Sequence, residues 1–166
     1  MKKWSFLFLS LSLFLGSCSK SAKCIFSDSN ATATASEIAY LQNYMTTNTI
    51  TATQHSSGIF YTITDPGTGA TASVCSNITL TYTGSLLSNG NVFDSSPTSA
   101  GTSFLLGQLI IGWQKGLPLI KNGGQITLYI PPSLGYGGTA TLDSHGNVAI
   151  PANSYLKFVM HLLDVQ

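Results

Sequence analysis

Apolar positions recur along this chain first at helical spacing and then at strand spacing. Ile38, Leu41 and Met45 fall on one face of Ala35 to Met45, with Tyr44 beside them. This predicts one short amphipathic helix with Ser36 as its N-cap. Asn48 to Ser57 is mostly polar and reads as a linker, so the folded domain is expected to start near Gly58. Ile59 to Thr64 then alternates as a strand does and runs into Asp65-Pro66-Gly67, a turn sequence. Ile78, Leu80 and Tyr82 alternate with Thr79, Thr81 and Thr83, which predicts a strand with one apolar face. Asn89-Gly90 is a hairpin signal between Leu86-Leu87 and Val92-Phe93. Ile126, Leu128 and Ile130 share one strand face, as do Leu156, Phe158, Met160 and Leu162. About five strands and a short helix across one face of an antiparallel sheet make an α+β domain.

Phe104 to Gly116, FLLGQLIIGWQKG, is the stretch around which these strands are organised. The run Leu109-Ile110-Ile111 next to Gly112-Trp113 suits a helix interior poorly, because Gly costs about 1 kcal/mol there relative to Ala. A strand end feeding one helical turn, Trp113 to Leu117, fits better, and the turn must stop before Pro118. Gly112 would let the backbone pack closely and leave Trp113 as a broad apolar floor. Taken alone, Trp113 reads better as core than as a floor.

The N-terminus has its own pattern. Lys2 and Lys3 precede an apolar run from Phe6 to Leu15, too short to span a bilayer as a permanent helix. It ends in Leu15-Gly16-Ser17-Cys18, which resembles a bacterial lipoprotein signal, with Cys18 as the acylated first residue of the mature chain. The alternative is an ordinary secretory signal that happens to carry a Cys. The expected division is a signal over 1–17, a tether with one short helix over 18–57, and a domain over 58–166. The tether would anchor that domain to a membrane of the cell envelope, facing the periplasm or on the outer membrane. In such an oxidising compartment the two cysteines left after lipidation, Cys24 and Cys75, are expected to pair as a disulfide.

Composition excludes several functions. Charged residues are 8% of the chain, Arg is absent, and formal net charge is +1. With no basic surface for phosphates, nucleic acid is not an expected partner. No G-x-S-x-G occurs, and His55, His145 and His161 stand in unrelated contexts that read as surface. The single glutamate, Glu37, lies outside the expected domain, which leaves no carboxylate pair for glycoside cleavage. Neither a metal site nor a phosphate-binding loop is indicated. The expected chemistry therefore uses no nucleophile, metal or cofactor.

Five segments, in order, carry a family resemblance. They are Tyr82-Thr83-Gly84, Val92-Phe93-Asp94-Ser95-Ser96, Gly107 to Trp113 with Gly116 following, Ile130-Pro131-Pro132-Ser133-Leu134-Gly135-Tyr136-Gly137, and Ile150-Pro151-Ala152-Asn153-Ser154 leading into Leu156 and Phe158. Together they resemble the FKBP-type peptidyl-prolyl cis-trans isomerases over Gly58 to Gln166. The resemblance implies a twisted antiparallel β-sheet wrapped around one short α-helix, with an apolar pocket between them. It implies a catalytic set of Tyr82, Phe93, Asp94, Ile110, Trp113, Tyr136 and Phe158, with Leu109 and Ile150 lining the substrate rim. Trp113 would seat the prolyl ring. The Tyr136 hydroxyl and the Ile110 backbone N–H would donate to substrate carbonyls, and Tyr82 would partner Asp94.

The implied partners are proline-containing polypeptides, above all exported proteins that are folding, and macrolide inhibitors. Departures from the family pattern bear on preference among both. Thr102 replaces an aromatic found in many members, Gln108 replaces an acidic residue, Ala149 is small, and the loop from Gly138 to Ala149 is long and polar. Beside an isomerase stand two other readings: a non-catalytic peptide-binding or chaperone module using the same cleft, and a structural lipoprotein on the same fold.

Overall fold

The structure, a computed structural model, describes residues 24–96 and 98–166. The expected signal segment and the expected lipidation site Cys18 lie outside the described residues. Two long strands form the spine. β3 (Asn77–Leu86) pairs with β9 (Leu156–Val165) from Ile78↔Val165 to Leu86↔Leu156. The other edge of β3 is shared by β4 (Val92–Ser95) and β5 (Thr102–Leu105), one at each end. Beyond β9 lie β6 (Gln125–Ile130), β2 (Phe60–Asp65) and the short β1 (Thr53–Gln54), every pair antiparallel. A separate hairpin, β7 (Thr141–Leu142) with β8 (Val148–Ile150), lies in the long polar loop.

Alternation explains which face is buried. Ile78, Leu80 and Leu86 of β3, Ile126, Leu128 and Ile130 of β6, and Leu156, Phe158, Met160 and Leu162 of β9 are all buried in one core. Burying each such side chain contributes roughly 1.5–3 kcal/mol relative to leaving it in water. Helix α2 (Ile111–Gly116) closes that face, with Trp113 and then Leu117 in the same core. It can lie close because Gly112 and Gly116 stand one turn apart, over β6. A Cβ on Gly112 would come within 2.6 Å of Ile130 Cδ1 and Cγ2, and one on Gly116 would strike Leu128. The antiparallel sheet with one short helix across its apolar face is the expected α+β architecture.

Around Trp113 the local structure differs from the expected strand end. β5 stops at Leu105, Leu106–Gln108 forms a 3-10 turn, and α2 begins at Ile111. Leu105 pairs with Asn77, the first residue of β3; Leu106 and Gly107 still donate to the carbonyls of Ser76 and Val74, and Leu109 turns back to donate to Leu106. The helix gives way to a second 3-10 turn, Leu117–Leu119, with Pro118 inside it.

The segment before Gly58 is more ordered than its polarity predicts. Thr53 and Gln54 lie within the expected linker yet pair with Tyr61 and Phe60, because a ladder needs backbone groups and tolerates polar side chains. α1 (Ala35–Thr47) is capped by Thr34, not Ser36. Thr34 and Glu37 form a reciprocal capping box, a T-x-x-E spacing that Ser36 cannot make with Glu37. Leu41 and Met45 bury against Phe60, Leu87 and Tyr129, and Tyr40 stacks on Tyr155 with ring centroids 3.9 Å apart. Tyr129 alternates with Leu128, so α1 covers the sheet face opposite α2 and forms a second, smaller core. Cys24 and Cys75 are joined by a disulfide with Cα atoms 5.6 Å apart, and Phe26 lies over Gly107.

Two measurements test these contacts. Gly112→Val should cost about 1–3 kcal/mol in urea unfolding, because Ile130 must yield along its whole side chain. The disulfide spans 51 residues. By chain entropy it contributes about 4 kcal/mol, so reductant should lower the urea midpoint of the wild type and leave Cys75→Ser unmoved.

Candidate active site

The site is built around Gly84. On β3 it faces Asp94 of β4 on one side and Phe158 of β9 on the other. A Cβ there would lie 2.6 Å from the Phe158 ring and 2.8 Å from the Phe93 ring, so only glycine lets the two rings close over the strand. Phe93 and Phe158 meet edge to face with centroids 5.6 Å apart. Tyr82, two residues earlier on the same face, meets Trp113 at 5.1 Å, and Phe158 meets Trp113 at 5.1 Å from another side, also edge-on. Such geometry sets positive ring edges against negative faces and contributes about 0.5–1.5 kcal/mol per pair beyond burial. The indole is thus held rigidly at the base of a cavity.

That cavity holds about 230 Å3 and is lined by Tyr82, Asp94, Phe104, Gln108, Leu109, Ile110, Trp113, Tyr136 and Phe158. Seven of the nine residues that the resemblance implies are therefore brought together. The other two, Phe93 and Ile150, belong to the same packed cluster as Trp113 and Phe158. Phe93 packs behind the lining, edge-on to both Phe158 and Tyr136, and Ile150 is buried. Phe104 and Gln108 add to the lining. Phe104 lies 6.1 Å from both Tyr82 and Trp113 and supplies an aromatic wall two residues beyond Thr102. Its signal was period two: residues 102 and 104 share a strand face.

Charge is kept to the rim. Asp94 is exposed, and the Tyr82 hydroxyl donates to its Oδ2 at 2.8 Å. Burial, and after it the bond to the Asp94 carboxylate and that group's charge, push the Tyr82 phenol far above the usual tyrosine range. Burial likewise raises Tyr136, with the Asp94 charge adding to it. Both phenols stay protonated, as donors, at any physiological pH.

The backbone donor is also prepared. Ile110 precedes the first turn of α2, and its N–H has no acceptor among the described residues. Gln114, on α2, donates its side-chain amide to the carbonyls of Leu109 at 2.7 Å and Gly107 at 3.3 Å, and so clamps the turn that presents Ile110. Nothing in the sequence marks Gln114 for this task. The Trp113 Nε1 is buried with no hydrogen-bond partner among the described residues. An unmet buried donor costs about 1–3 kcal/mol. Chemically, the arrangement offers a nearly uncharged slot for a compact apolar ring, with N–H and O–H donors at its mouth.

Comparison with known proteins agrees with this geometry. Residues 69–163 match the family model described as FKBP-type peptidyl-prolyl cis-trans isomerase. The chain is 43% identical over 113 residues to the FKBP-type peptidyl-prolyl cis-trans isomerase FkpA of Buchnera aphidicola (subspecies Schizaphis graminum), covering 67% of this chain and 42% of that one. It is 42% identical over 110 residues to a probable FKBP-type peptidyl-prolyl cis-trans isomerase of Haemophilus influenzae, covering 66% and 43%. The crystal structure of FkpA from Escherichia coli superposes with a TM-score of 0.65 at 35% identity, over 80% of this chain and 60% of that one. The chain thus spans about two fifths of the length of these curated relatives. With a family model matched over more than half its length, the chain belongs to the FKBP-type peptidyl-prolyl cis-trans isomerase family.

Proposed function

We propose that this chain is a peptidyl-prolyl cis-trans isomerase that acts on proline-containing polypeptides. The observation that carries the proposal is the Trp113 indole, held edge-on by Tyr82, Phe104 and Phe158 at the base of a cavity with one carboxylate. Rotation about a peptide bond is opposed by a barrier of about 18–20 kcal/mol, which comes from amide resonance. Twisting the bond removes that resonance and reduces its charge separation. The twisted amide is therefore less polar than either planar isomer, and an apolar, water-poor slot favours it differentially. Neither proton transfer nor a covalent intermediate is needed. The Ile110 N–H and Tyr136 hydroxyl would hold the flanking substrate carbonyls, so that the chain on one side of the bond stays fixed while the other turns. Tyr82 ties up the Asp94 carboxylate, which limits the polarity seen by the amide.

Uncatalysed isomerisation takes tens of seconds or more, slow enough to limit folding. Exported proteins are the proposed clients. Lys2, Lys3, the apolar run to Leu15 and the small residues before Cys18 support a lipid-anchored form, with Cys18 acylated and the domain over 58–166 facing the cell envelope. Macrolide inhibitors, which fill the same slot in the family, are proposed ligands. Thr102 and Gln108, which depart from the family pattern, bear on the affinity.

A coupled assay on a Xaa-Pro peptide tests the activity. Trp113→Ala should lower kcat/KM at least about tenfold, which corresponds to about 1.4 kcal/mol, and Asp94→Ala should lower it by a similar factor. No acceleration by the wild type would leave a peptide-binding module instead. The mass of the mature chain checks the anchor. An unmodified Cys18, or a mature chain starting elsewhere, would remove it.

A further inference from the structure

The only glutamate in the chain sits on α1, outside the region that carries the family motifs, yet its carboxylate reaches the turn before Tyr136. Ser133 donates to it twice, from its backbone N–H to Glu37 Oε1 at 2.9 Å and from its hydroxyl to Oε2 at 2.8 Å. The same carboxylate accepts from the Thr34 backbone N–H at 2.8 Å and its hydroxyl at 3.0 Å. Partial burial pushes the Glu37 carboxyl upward, but the bonds from Thr34 and Ser133 outweigh it and hold the group below the usual carboxylate range.

The turn needs this outside partner. Pro132–Leu134 is a 3-10 turn led by Pro131, and the first N–H groups of any helix have no acceptor within it. Leu134 donates to Pro131, and Gly135 and Gly137 both donate to Pro132, which leaves the Ser133 N–H as the orphan. Glu37 is therefore a cap in duplicate: it closes α1 through Thr34 and the Pro132–Leu134 turn through Ser133. Tyr136 follows that turn directly, bracketed by the two glycines whose N–H groups converge on Pro132. Its ring then stands at the cavity rim against Phe93.

We infer that Glu37 is a positioning residue for the isomerase site, acting from the N-terminal helix through the Ser133 turn to set the Tyr136 hydroxyl at the cavity rim. The inference rests on the proposed role of Tyr136 as a substrate donor. α1 is on this view part of the working site and more than a spacer between tether and domain. Catalysis is sensitive to such placement, since misplacing a reacting group by about 1 Å can cost about a hundredfold in rate.

A double-mutant cycle on the full chain tests it. Glu37→Gln keeps the side-chain size but leaves one acceptor oxygen and turns an amide NH2 toward donors. Ser133→Ala removes only the hydroxyl bond and serves as the milder probe if Glu37→Gln folds poorly. Each variant is assayed below its own melting transition. Glu37→Gln should lower kcat/KM about fivefold in the wild type, with Ser133→Ala lowering it less. Neither should lower it further once Tyr136→Phe is present, whereas a merely structural loss would recur by the same factor in that background. If Tyr136→Phe alone is impaired but Glu37→Gln is harmless or fully multiplicative with it, the Glu37 inference fails and the Tyr136 role stands. If Tyr136→Phe alone is silent, the Tyr136 role fails and takes the inference with it.

Discussion

The close approach of α2 to the sheet is the constraint on which this molecule depends. Gly112 and Gly116, one turn apart, remove the two Cβ atoms that would meet Ile130 and Leu128. The short helix then lies low enough for Trp113 to reach the rings of Tyr82 and Phe158. A helix of six residues has little stability of its own, and its conformation is set by packing. The pocket and the core are thus one packing solution. The same residues that exclude water from the interior leave an unfilled hollow between Trp113 and the loops.

Polarity is arranged in layers around that hollow. Its floor is an indole and its walls are aromatic. Beside the buried indole N–H, donors stand at the mouth: the Ile110 N–H, next to the turn that Gln114 clamps, and the Tyr136 hydroxyl. The one carboxylate is engaged by Tyr82. A site of this kind stabilises a less polar state without moving protons, which fits the absence of any hydrolase or glycosidase motif from the sequence. Both phenols are held neutral by burial, so the lining keeps its character over a wide pH range.

The segment before the family motifs is joined to the domain at three separate points. The Cys24–Cys75 disulfide fixes its start, α1 buries Leu41 and Met45 on the outer sheet face, and β1 extends the sheet edge. Each is a different kind of contact: covalent, apolar and backbone hydrogen bonding. The Glu37–Ser133 pair adds a charged contact, three residues before the pocket-lining Tyr136.

The alternation of Ile78, Leu80 and Tyr82, of Ile126 to Ile130 and of Leu156 to Leu162 was enough to determine the antiparallel sheet and its buried face, because side-chain direction in a strand has a strict period of two. Family motifs likewise marked Trp113, Tyr82, Asp94, Tyr136 and Phe158 as neighbours. What lay beyond reach was everything decided by pairing across the fold. Residues 109–111 look like a strand but leave the sheet, where Leu109 turns back to donate to Leu106. Phe104 joins the pocket wall because tertiary packing sets its ring against Tyr82 and Trp113. Gln114 carries no local signal and Glu37 only that of the α1 capping box, since the bond from Glu37 to Ser133 forms only after the fold has brought together groups 96 residues apart. Periodicity is a local property of the chain and can be read from it, whereas register and capping partners are settled by three-dimensional contact.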